Sequence, residues 1–543
     1  MKSIYKLSAV LVAGAMLGAC NDLDVQPQGS TVTTDQKEEV VKLDPEKASA
    51  AVTGLAGQMT TFGALTGGSG SDDHSDIGIP ALFIMMDQRG QDMYSLNTGY
   101  NWYLTAMRIS DGLNTSSNPV FVWRYNYNLV RSANSIIQTI KPSVDVESTD
   151  EAQNESKFYL AQAYCFRAYA YMYLAQSFQF TYSGHENDLC VPIITEENQD
   201  QAAQDGCPRS TVQEVYNHIL SDINMAISLL QGNPVTPQTI LPSKAKRFAS
   251  IATAYGLRAR ANLLMTKWAD AANDAQMAIS SFGGSPLSLA EASVPGFNDI
   301  EAANWLWGIA VSENDLVVTT GICNFPSHMG SFCNGYATIV GAWKWINKNL
   351  YNAIPSTDVR KGWWLDANGQ SSNLTAQQQA YVSGAGAGAG VQVKFAPYQG
   401  TVGQTVNSSD IPLMRIEEMY YIYAEATGMQ SPSAGAEALQ QFVKQYRDPA
   451  YTCTASTAQE LQDAVWLQRR IELWGEGLSY YDMLRLKKPL DRVDGGWPAI
   501  LTYRIDPTDP VLVFPIPFSE VNTNKQINQD ENTLGGGIPT PVS

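Results

Sequence analysis

Aromatic rings and side-chain amides are interleaved in two segments of the chain, residues 89–102 and 324–364. Both segments combine Tyr and Trp with Asn and Gly, a mixture too polar for a core helix and unusually aromatic for a loop. The C–H face of a pyranose ring packs against an aromatic ring, and its hydroxyl groups hydrogen-bond to amide, carboxylate and guanidinium groups around the rim. The two segments therefore have the composition of a saccharide-binding surface.

Glycoside hydrolysis is the alternative chemistry that these residue types allow. A hydrolase needs two carboxyl groups flanking the scissile bond, one of them with a raised pKa. Glu472 and Glu476 are four residues apart, a spacing that ion pairing on a helix explains more simply. The four histidines are scattered and contribute to neither an HExxH motif nor a nucleophile elbow; they are His74, His185, His218 and His328. We therefore expect a binding protein rather than an enzyme.

Two further segments suggest ligands but lack the required context. Residues 72–76 read Asp-Asp-His-Ser-Asp and offer oxygen ligands to calcium, but not with the spacing of a known calcium loop, so a solvated loop is favoured. Residues 384–390 alternate Gly and Ala. A phosphate-binding loop follows a strand and precedes a helix, and the flanking residues do not supply that context convincingly. We expect no cofactor and no metal, and interpret residues 384–390 as a flexible loop.

A helical scaffold is needed to position these segments, and its clearest sign is an internal repeat. Small residues with one Tyr and one Arg at positions 161–170 return 91 residues later at positions 252–261. Small residues at helical spacing let two helices approach closely, which is how stacked hairpins bury a shared core. The second copy continues into Trp268 and a run of alanines, which looks like the second helix of a tetratricopeptide hairpin. The predicted fold is mostly α, a tetratricopeptide-like helical hairpin scaffold with a loop-rich, aromatic-rich ligand-binding region.

Other helices are predicted from periodicity and capping. Capping boxes at Thr211 with Glu214 and at Thr457 with Glu460 begin two of them. The predicted helices cover residues 48–59, 122–140, 158–180, 212–230, 252–264, 412–428 and 457–488. Periodicity fades between residues 282 and 403, and the tail at 511–517 should lie extended because it alternates with prolines. We divide the chain into a helical N-terminal part, 37–281, and a C-terminal part, 282–543, which comprises the irregular aromatic region 282–403, the helices within 412–488 and the extended tail.

The first twenty residues have the pattern of a bacterial lipoprotein signal. Lys2 and Lys6 precede an apolar run at 7–17 that is too short to span a bilayer, and Leu-Gly-Ala then precedes Cys20. Cleavage before Cys20 lets this cysteine carry several acyl chains, in which each buried methylene contributes about 0.8 kcal/mol. The alternative is an ordinary signal peptide followed by an incidental cysteine. We expect residues 1–19 to be a signal peptide and residues 20–36 to form a lipidated polar tether.

Composition restricts the remaining classes of function. The chain has 543 residues, 44% hydrophobic and 16% charged, which is enough to bury a large core. No run of 18 apolar residues follows the signal, so the lipid is the expected attachment to the membrane. A formal charge of -18 without any basic run argues against nucleic acid as a partner.

Six cysteines follow Cys20, an even number in a chain with an export signal. Cys190 with Cys207, or Cys323 with Cys333, are close enough in sequence to form disulfides, but spacing leaves the connectivity open. None of the cysteines lies in a CxxC zinc pattern.

Several separate stretches together resemble one family, the SusD/RagB outer-membrane nutrient-binding lipoproteins. They follow one another in family order: residues 20–24, 166–171 with 177–178, 258–261 with the Trp268 helix, 413–418 with 423–426, 469–473 with 476–477, Asp482 and Arg485, and 514–517 with Glu520 and Gln529. Two positions depart from the family pattern, Gln468 in place of a common Glu and Ser479 in place of a common Arg. Both lie where the family has a structural ion-pair region, so they put a buried salt bridge in doubt rather than ligand binding.

The resemblance implies a function, a location and a site. It implies glycan capture at the cell surface and docking on a SusC-like TonB-dependent transporter of the outer membrane, with the lipid on Cys20 as anchor. Asp22 and Asp24 weakly favour display on the outer face. The family's glycan platform resembles rings from the two aromatic segments, which implies Tyr100, Trp102, Tyr336, Trp343 and Trp345 as ring contacts, with Asn97, Asn101 and Asn334 as hydrogen-bonding groups.

Alternatives remain open for both the site and the function. The rings at 343 and 345 are also compatible with packing in the core or against the transporter. A tetratricopeptide-type adaptor or a peptide-binding lipoprotein is the second function, and a surface glycoside hydrolase is less favoured.

Overall fold

The chain is built mainly from α-helices joined by irregular segments. The computed structural model describes residues 46–65, 74–95 and 102–542. The helices up to residue 281 are α1 (Glu46–Gly57), α2 (Ile79–Arg89), α3 (Leu104–Met107), α4 (Ser117–Ile140), α5 (Asn154–Phe178), α6 (Gln199–Asp205), α7 (Val212–Leu230), α8 (Pro237–Ile240), α9 (Ile251–Leu264) and α10 (Trp268–Ser281). Those that follow are α11 (Leu289–Ala292), α12 (Leu316–Thr319), α13 (Phe325–Met329), α14 (Tyr336–Ile339), α15 (Lys348–Ala353), α16 (Ala376–Gly384), α17 (Ile416–Gln430), α18 (Pro432–Tyr446), α19 (Ala458–Glu472), α20 (Ser479–Arg485) and α21 (Phe518–Thr523).

Six short strands form three two-stranded sheets within the described residues. They are β1 (Met93–Tyr94), β2 (Trp305–Ile309), β3 (Trp345–Ile346), β4 (Ile411–Arg415), β5 (Leu490–Asp491) and β6 (Arg504–Ile505). The pairs β1–β3, β2–β4 and β5–β6 are all antiparallel. Each pair joins segments that are distant in sequence or separated by a loop, so the sheets fasten irregular segments rather than form a layer.

The long helices pack one on the next as a stack. Helix α4 packs on α5, α5 on α7, α7 on α9 and α9 on α10. Helix α17 then returns from the C-terminal half to pack on α10, and α18 and α19 pack on α17. The predicted division of the chain near residue 282 stays a prediction, since helices from both sides of it share this stack.

The sequence repeat corresponds to a repeated contact between helices. Arg167 on α5 donates from Nε and Nη2 to the carboxylate of Asp222 on α7, at 2.8 and 2.7 Å. Arg258 on α9 donates from the same two atoms to Asp274 on α10, at 2.9 and 2.6 Å. The repeated alanines are buried between the helices, at positions 161, 163, 168, 170, 252, 254, 259 and 261. The prediction that these residues pack as core is confirmed.

Local signals placed several helix ends correctly. The capping boxes of Thr211 with Glu214 and of Thr457 with Glu460 both form, at the starts of α7 and α19. The helix predicted over 48–59 is α1, which a short 3-10 turn extends to Thr60. The tail predicted to be extended over residues 511–517 begins in a 3-10 turn, Pro510–Leu512, so the prediction was wrong for residues 511 and 512; from Val513 to Pro517 the chain forms neither helix nor strand.

Two predicted helices in the C-terminal part were wrong in extent. The first residues of the segment 412–428 belong to strand β4, which pairs with β2, and the helix begins only at Ile416. The segment 457–488 is two helices, because Gly475 and Gly477 adopt φ values of +83° and +74° that end α19 and turn the chain into α20. Helix α18 was not predicted.

Much of the aromatic richness of residues 282–403 is interior packing. Trp305, Trp307, Trp363 and Trp364 are all fully buried. The Trp307 ring lies edge-on to Phe166 and Tyr169 of α5, with centroid distances of 4.9 and 5.1 Å. These contacts hold the irregular region against the helical stack.

A second hydrophobic cluster lies apart from the main core. We call it the second core; it consists of Tyr94, Met107, Phe332, Ala337, Trp343, Trp345, Leu365, Val382, Val391, Val393, Trp497 and Leu501. The β1–β3 pair runs through it, with Tyr94 opposite Trp345 and their rings stacked at 5.9 Å and 16°. The second core therefore gathers rings from three distant parts of the chain.

Neither proposed disulfide forms. Cys190, Cys207 and Cys333 are free thiols, so neither of the two candidate pairs is bonded. Among helices of the described residues, none has the length and the hydropathy needed to cross a bilayer.

Candidate functional site

Trp102, two residues before α3 begins, presents an open aromatic face. The residue is 46% exposed. One face of its indole stacks on the imidazole of His74, with the ring centroids 4.7 Å apart and the planes 16° from parallel. Of the predicted ring contacts that the structure describes, Trp102 alone is exposed to solvent.

A pair of histidines lies directly beneath this ring. His74 Nδ1 and His328 Nε2 are 2.8 Å apart, although the two residues are 254 positions apart in the chain. The Tyr336 ring contacts both imidazoles, with centroid distances of 4.6 and 4.8 Å. Tyr103 Oη donates to the carbonyl of His74 at 2.8 Å. Neither histidine was predicted as a site residue, because no local pattern reports a contact between residues so far apart.

The lower part of this group is buried and lies near a lysine with an unusually low pKa. Burial is the main reason that the pKa of His328 lies well below its usual value, and the charges of Lys344 and His74 lower it further. Lys344 is also buried, and burial lowers its pKa to about 7. Its Nζ donates to the carbonyl of Ala342 at 3.0 Å. The His328 imidazole is therefore neutral at pH 7.

The other described rings of the predicted site lie inside. Tyr336, Trp343 and Trp345 are 4%, 4% and 8% exposed. Tyr336 begins α14, and the two tryptophans belong to the second core. Their role as saccharide contacts stays a prediction. Tyr336 packs against the two histidines near Trp102, whereas Trp343 and Trp345 pack inside the second core.

Asn334 lies at an open depression on the surface. The residue is exposed, and the depression has a volume of about 450 Å³. Its walls also include Thr338 and Ile339 of α14 and Tyr381 of α16. Helix α14 thus connects this depression, through Tyr336, to the ring stack under Trp102. Sequence analysis missed Tyr381, although the capping box of Thr375 with Gln378 marks its helix.

Some predicted residues lie outside the described part of the chain. These are Asn97, Tyr100 and Asn101, as well as Asp72 and Asp73 of the segment considered for calcium. Cys20 and the polar tether also lie outside it. Within residues 46–65, 74–95 and 102–542, no group of three or more His, Cys, Asp or Glu side chains is arranged to hold a metal ion.

The carboxylates considered for hydrolysis are structural. Glu472 is fully buried, and its carboxylate accepts hydrogen bonds from Arg360, Arg415 and Arg447. Burial alone would raise its pKa, but the charges of Arg447 and Arg415 hold the pKa well below the usual value. Glu476, which also binds Arg415, has a lowered pKa as well, although burial opposes the effect of Arg415. A general acid needs the reverse shift.

The two departures from the family pattern leave this ion-pair network intact. Gln468 Oε1 accepts from Arg360 Nη2 at 2.5 Å, and the Ser479 hydroxyl donates to the Asp92 carboxylate. Asp92 also accepts from Arg470, at 2.5 Å from Nη2. Uncharged partners thus occupy both positions without removing the buried ion pairs around them.

Comparison with protein families settles the relationship of the chain. A SusD-like model described as starch-binding and associating with the outer membrane matches residues 81–256, and the SusD family model matches residues 347–533. The chain belongs to the SusD/RagB family. Membership associates it with carbohydrate binding and with the outer membrane at the cell surface.

Solved SusD structures share the fold over nearly the whole chain. A SusD-like carbohydrate binding protein from Bacteroides vulgatus ATCC 8482 is 20% identical with a TM-score of 0.71, over 90% of this chain and 98% of that one. A SusD superfamily protein from Bacteroides thetaiotaomicron VPI-5482 is 22% identical with a TM-score of 0.66, over 89% and 98%. The surface glycan-binding protein A from Bacteroides fluxus is 17% identical with a TM-score of 0.62, over 91% and 99%. Among curated proteins, none matches this chain. The predicted fold class, mostly α with a tetratricopeptide-like scaffold, is confirmed.

Proposed function

We propose that this protein captures oligo- or polysaccharide at the cell surface and passes it to a SusC-like TonB-dependent transporter. In this proposal the lipid on Cys20 anchors the protein in the outer membrane, with the body facing the exterior. The observation that carries the proposal is the open indole face of Trp102, backed by His74, on a chain of the SusD family.

The exposed ring suits a saccharide for a physical reason. A pyranose C–H face excludes water from an aromatic ring without any need to bury the sugar's hydroxyl groups. The amide of Asn334, at the depression beside α14, is a polar group of the kind that binds sugar hydroxyls. Both kinds of contact are reversible, as delivery to a transporter requires.

A binding role rather than catalysis is part of the proposal. The two carboxylates considered for hydrolysis are ion-paired in the interior with lowered pKa values. SusD membership supports the same conclusion. The formal charge of -18 supports the absence of nucleic acid among the partners.

Affinity electrophoresis tests glycan capture. Wild-type protein is run through gels containing soluble starch, xylan, β-mannan or pectin, and the same mixtures are assayed for new reducing ends. We expect at least one polysaccharide to retard the wild type without hydrolysis, and Trp102→Ala to abolish most of that retardation. Phe518→Ala is the matched control, since Phe518 on α21 is an aromatic residue with a similar exposure of 52%. New reducing ends would favour the hydrolase, and absence of both effects would favour the adaptor.

Fractionation and co-purification test the anchor and the partner. In an outer-membrane-containing host, we expect wild-type protein to sediment with the membranes and Cys20→Ala to be released. Solubilised wild type should co-purify with a TonB-dependent transporter. Sedimentation of Cys20→Ala equal to that of the wild type would contradict the lipid anchor.

A further inference from the structure

His74 is the point at which the contacts of Trp102 and of its neighbour in sequence converge. The Trp102 ring stacks on the His74 imidazole, and the next residue, Tyr103, hydrogen-bonds to the His74 carbonyl. Tyr103 is 2% exposed, so this second contact is made in the interior. His74 therefore contacts both the indole of Trp102 and the side chain of the next residue, Tyr103.

His74 is in turn held from below by the buried His328. His328 is 1% exposed and lies on α13, whose first turn is capped by Asn324 Oδ1 accepting from the Ser327 amide at 2.9 Å. The Ser327 hydroxyl accepts from the Tyr336 amide at 2.6 Å, which ties α13 to α14. The contact between His74 Nδ1 and His328 Nε2 thus fixes the rotation of the His74 imidazole, because His328 lies on α13, which is hydrogen-bonded to α14.

We infer that His74 is a positioning residue, which holds the Trp102 indole with one face turned to solvent before any saccharide arrives. An imidazole meets both requirements at once, because it offers a flat ring for stacking and a nitrogen for the bond to His328. Phenylalanine at this position keeps the stacking and loses the bond, and asparagine keeps a polar group and loses the ring. This inference rests on the proposed function only for its effect on glycan affinity.

The effect on affinity follows from the freedom of an exposed side chain. A ring that rotates freely must be immobilised when a sugar packs on it, and a ring that is already held need not be. The cost of ordering one such side chain corresponds to roughly two- to tenfold in Kd. Loss of His74 should therefore weaken binding by about that factor while Trp102 itself is still present.

A ligand-free measurement tests the positioning directly. Full-length mature protein is labelled with 5-fluorotryptophan, and the fluorine resonance of Trp102 is assigned by its absence from Trp102→Phe. We expect this resonance to lie at a ring-shifted position in the wild type and in His74→Phe. In His74→Ala and His74→Asn it should move to the position of a freely rotating fluorotryptophan. His185→Ala is the matched control, because His185 is a partly exposed histidine stacked on Phe180 at 5.4 Å, and it should leave the Trp102 resonance unchanged.

Affinity for the polysaccharide of the electrophoresis panel that retards the wild type is the second readout. Ala and Asn should raise Kd by roughly two- to tenfold, and Phe, which keeps the stacking but loses the bond to His328, should raise it by less. An unchanged Trp102 resonance in His74→Ala, or equal Kd values for the Phe and Asn variants, would overturn the inference. If no polysaccharide of the panel binds, glycan capture fails while the fluorine spectra still decide the role of His74.

Discussion

Arg447 and Glu472 are joined by two hydrogen bonds in the interior, from Nε to Oε2 at 2.7 Å and from Nη2 to Oε1 at 3.0 Å. Arg447 directly follows α18, and Glu472 is the last residue of α19. Arg415, at the end of β4, donates to the same carboxylate at 3.0 Å. The Glu472 carboxylate thus links α18, α19 and β4, which are separate in sequence. It is therefore the most informative position for a stability test.

Replacement of Glu472 by Gln should destabilise the protein strongly. The substitution leaves buried guanidinium groups without a compensating charge, and breaking one side of a buried ion pair typically costs about 3–5 kcal/mol. Chemical denaturation monitored by circular dichroism measures the difference in the free energy of unfolding. Glu437→Gln on the exposed face of α18 is the control and should change stability by less than about 0.5 kcal/mol. Equal effects of the two substitutions would contradict the buried network.

Stability should fall steeply in acid. The pKa values of Glu472, Glu476 and Asp482 are all lowered, since neighbouring arginines outweigh the effect of burial. A carboxylate with a lowered folded-state pKa contributes stability that is present above its unfolded pKa, about 4, and is lost as the pH falls toward the folded value. Melting temperatures measured from pH 7 to pH 3 should therefore drop below about pH 4.5. Glu472→Gln should show a shallower decline, and a parallel decline would contradict the assignment.

Asp87 should produce the opposite pH dependence. Burial raises its pKa to about 8, despite the Gly477 amide that donates to Oδ2 at 3.1 Å. An acid with a raised folded-state pKa contributes stability that is fully present below its unfolded pKa, about 4, and is lost as the pH rises toward the folded value. Asp87→Asn removes this loss and keeps an oxygen for the Gly477 amide. The free energy of unfolding of the variant minus that of the wild type should increase between pH 4 and pH 8, by at most about 1.4 kcal/mol per pH unit.

The two tryptophans of the predicted site should respond differently to truncation. Trp343 is 4% exposed within the second core, so Trp343→Ala should cost about 3–5 kcal/mol. Trp102→Ala should cost no more than about 1 kcal/mol because the ring is half exposed. Thermal unfolding of both variants beside the wild type checks the contrast. A small loss of stability in Trp343→Ala would instead indicate that this ring is open to solvent and available for saccharide contact.

Local patterns in the sequence predicted the helical frame well. The repeat at 161–170 and 252–261 corresponds to the paired contacts of Arg167 with Asp222 and of Arg258 with Asp274. Capping boxes work as signals because donor and acceptor lie three residues apart, so that the contact is contained in the pattern. Strand β4 was mistaken for helix because a short apolar run is ambiguous between the two states, and its partner β2 lies about a hundred residues earlier.

The site was only partly predictable for a related reason. Composition identified residues 89–102 and 324–364 as aromatic and polar, and it brought Trp102 and Asn334 into consideration. It carried no information about which rings face outward. Trp343 and Trp345 are buried partly by a third segment of the chain, which includes Trp497. The contact between His74 and His328 depends on the approach of a loop to helix α13, 254 residues further along the chain, which no local spacing encodes.

The separation of the second core from the main core has an evolutionary consequence. The rings of the second core pack on one another, as Tyr94 does on Trp345 and Trp497, whereas the helical stack is held by its own alanines and ion pairs. Substitutions around the second core can therefore accumulate while the contacts within the helical stack stay in place. A scaffold divided in this way lets side chains in one core change while the contacts that hold the other core stay the same.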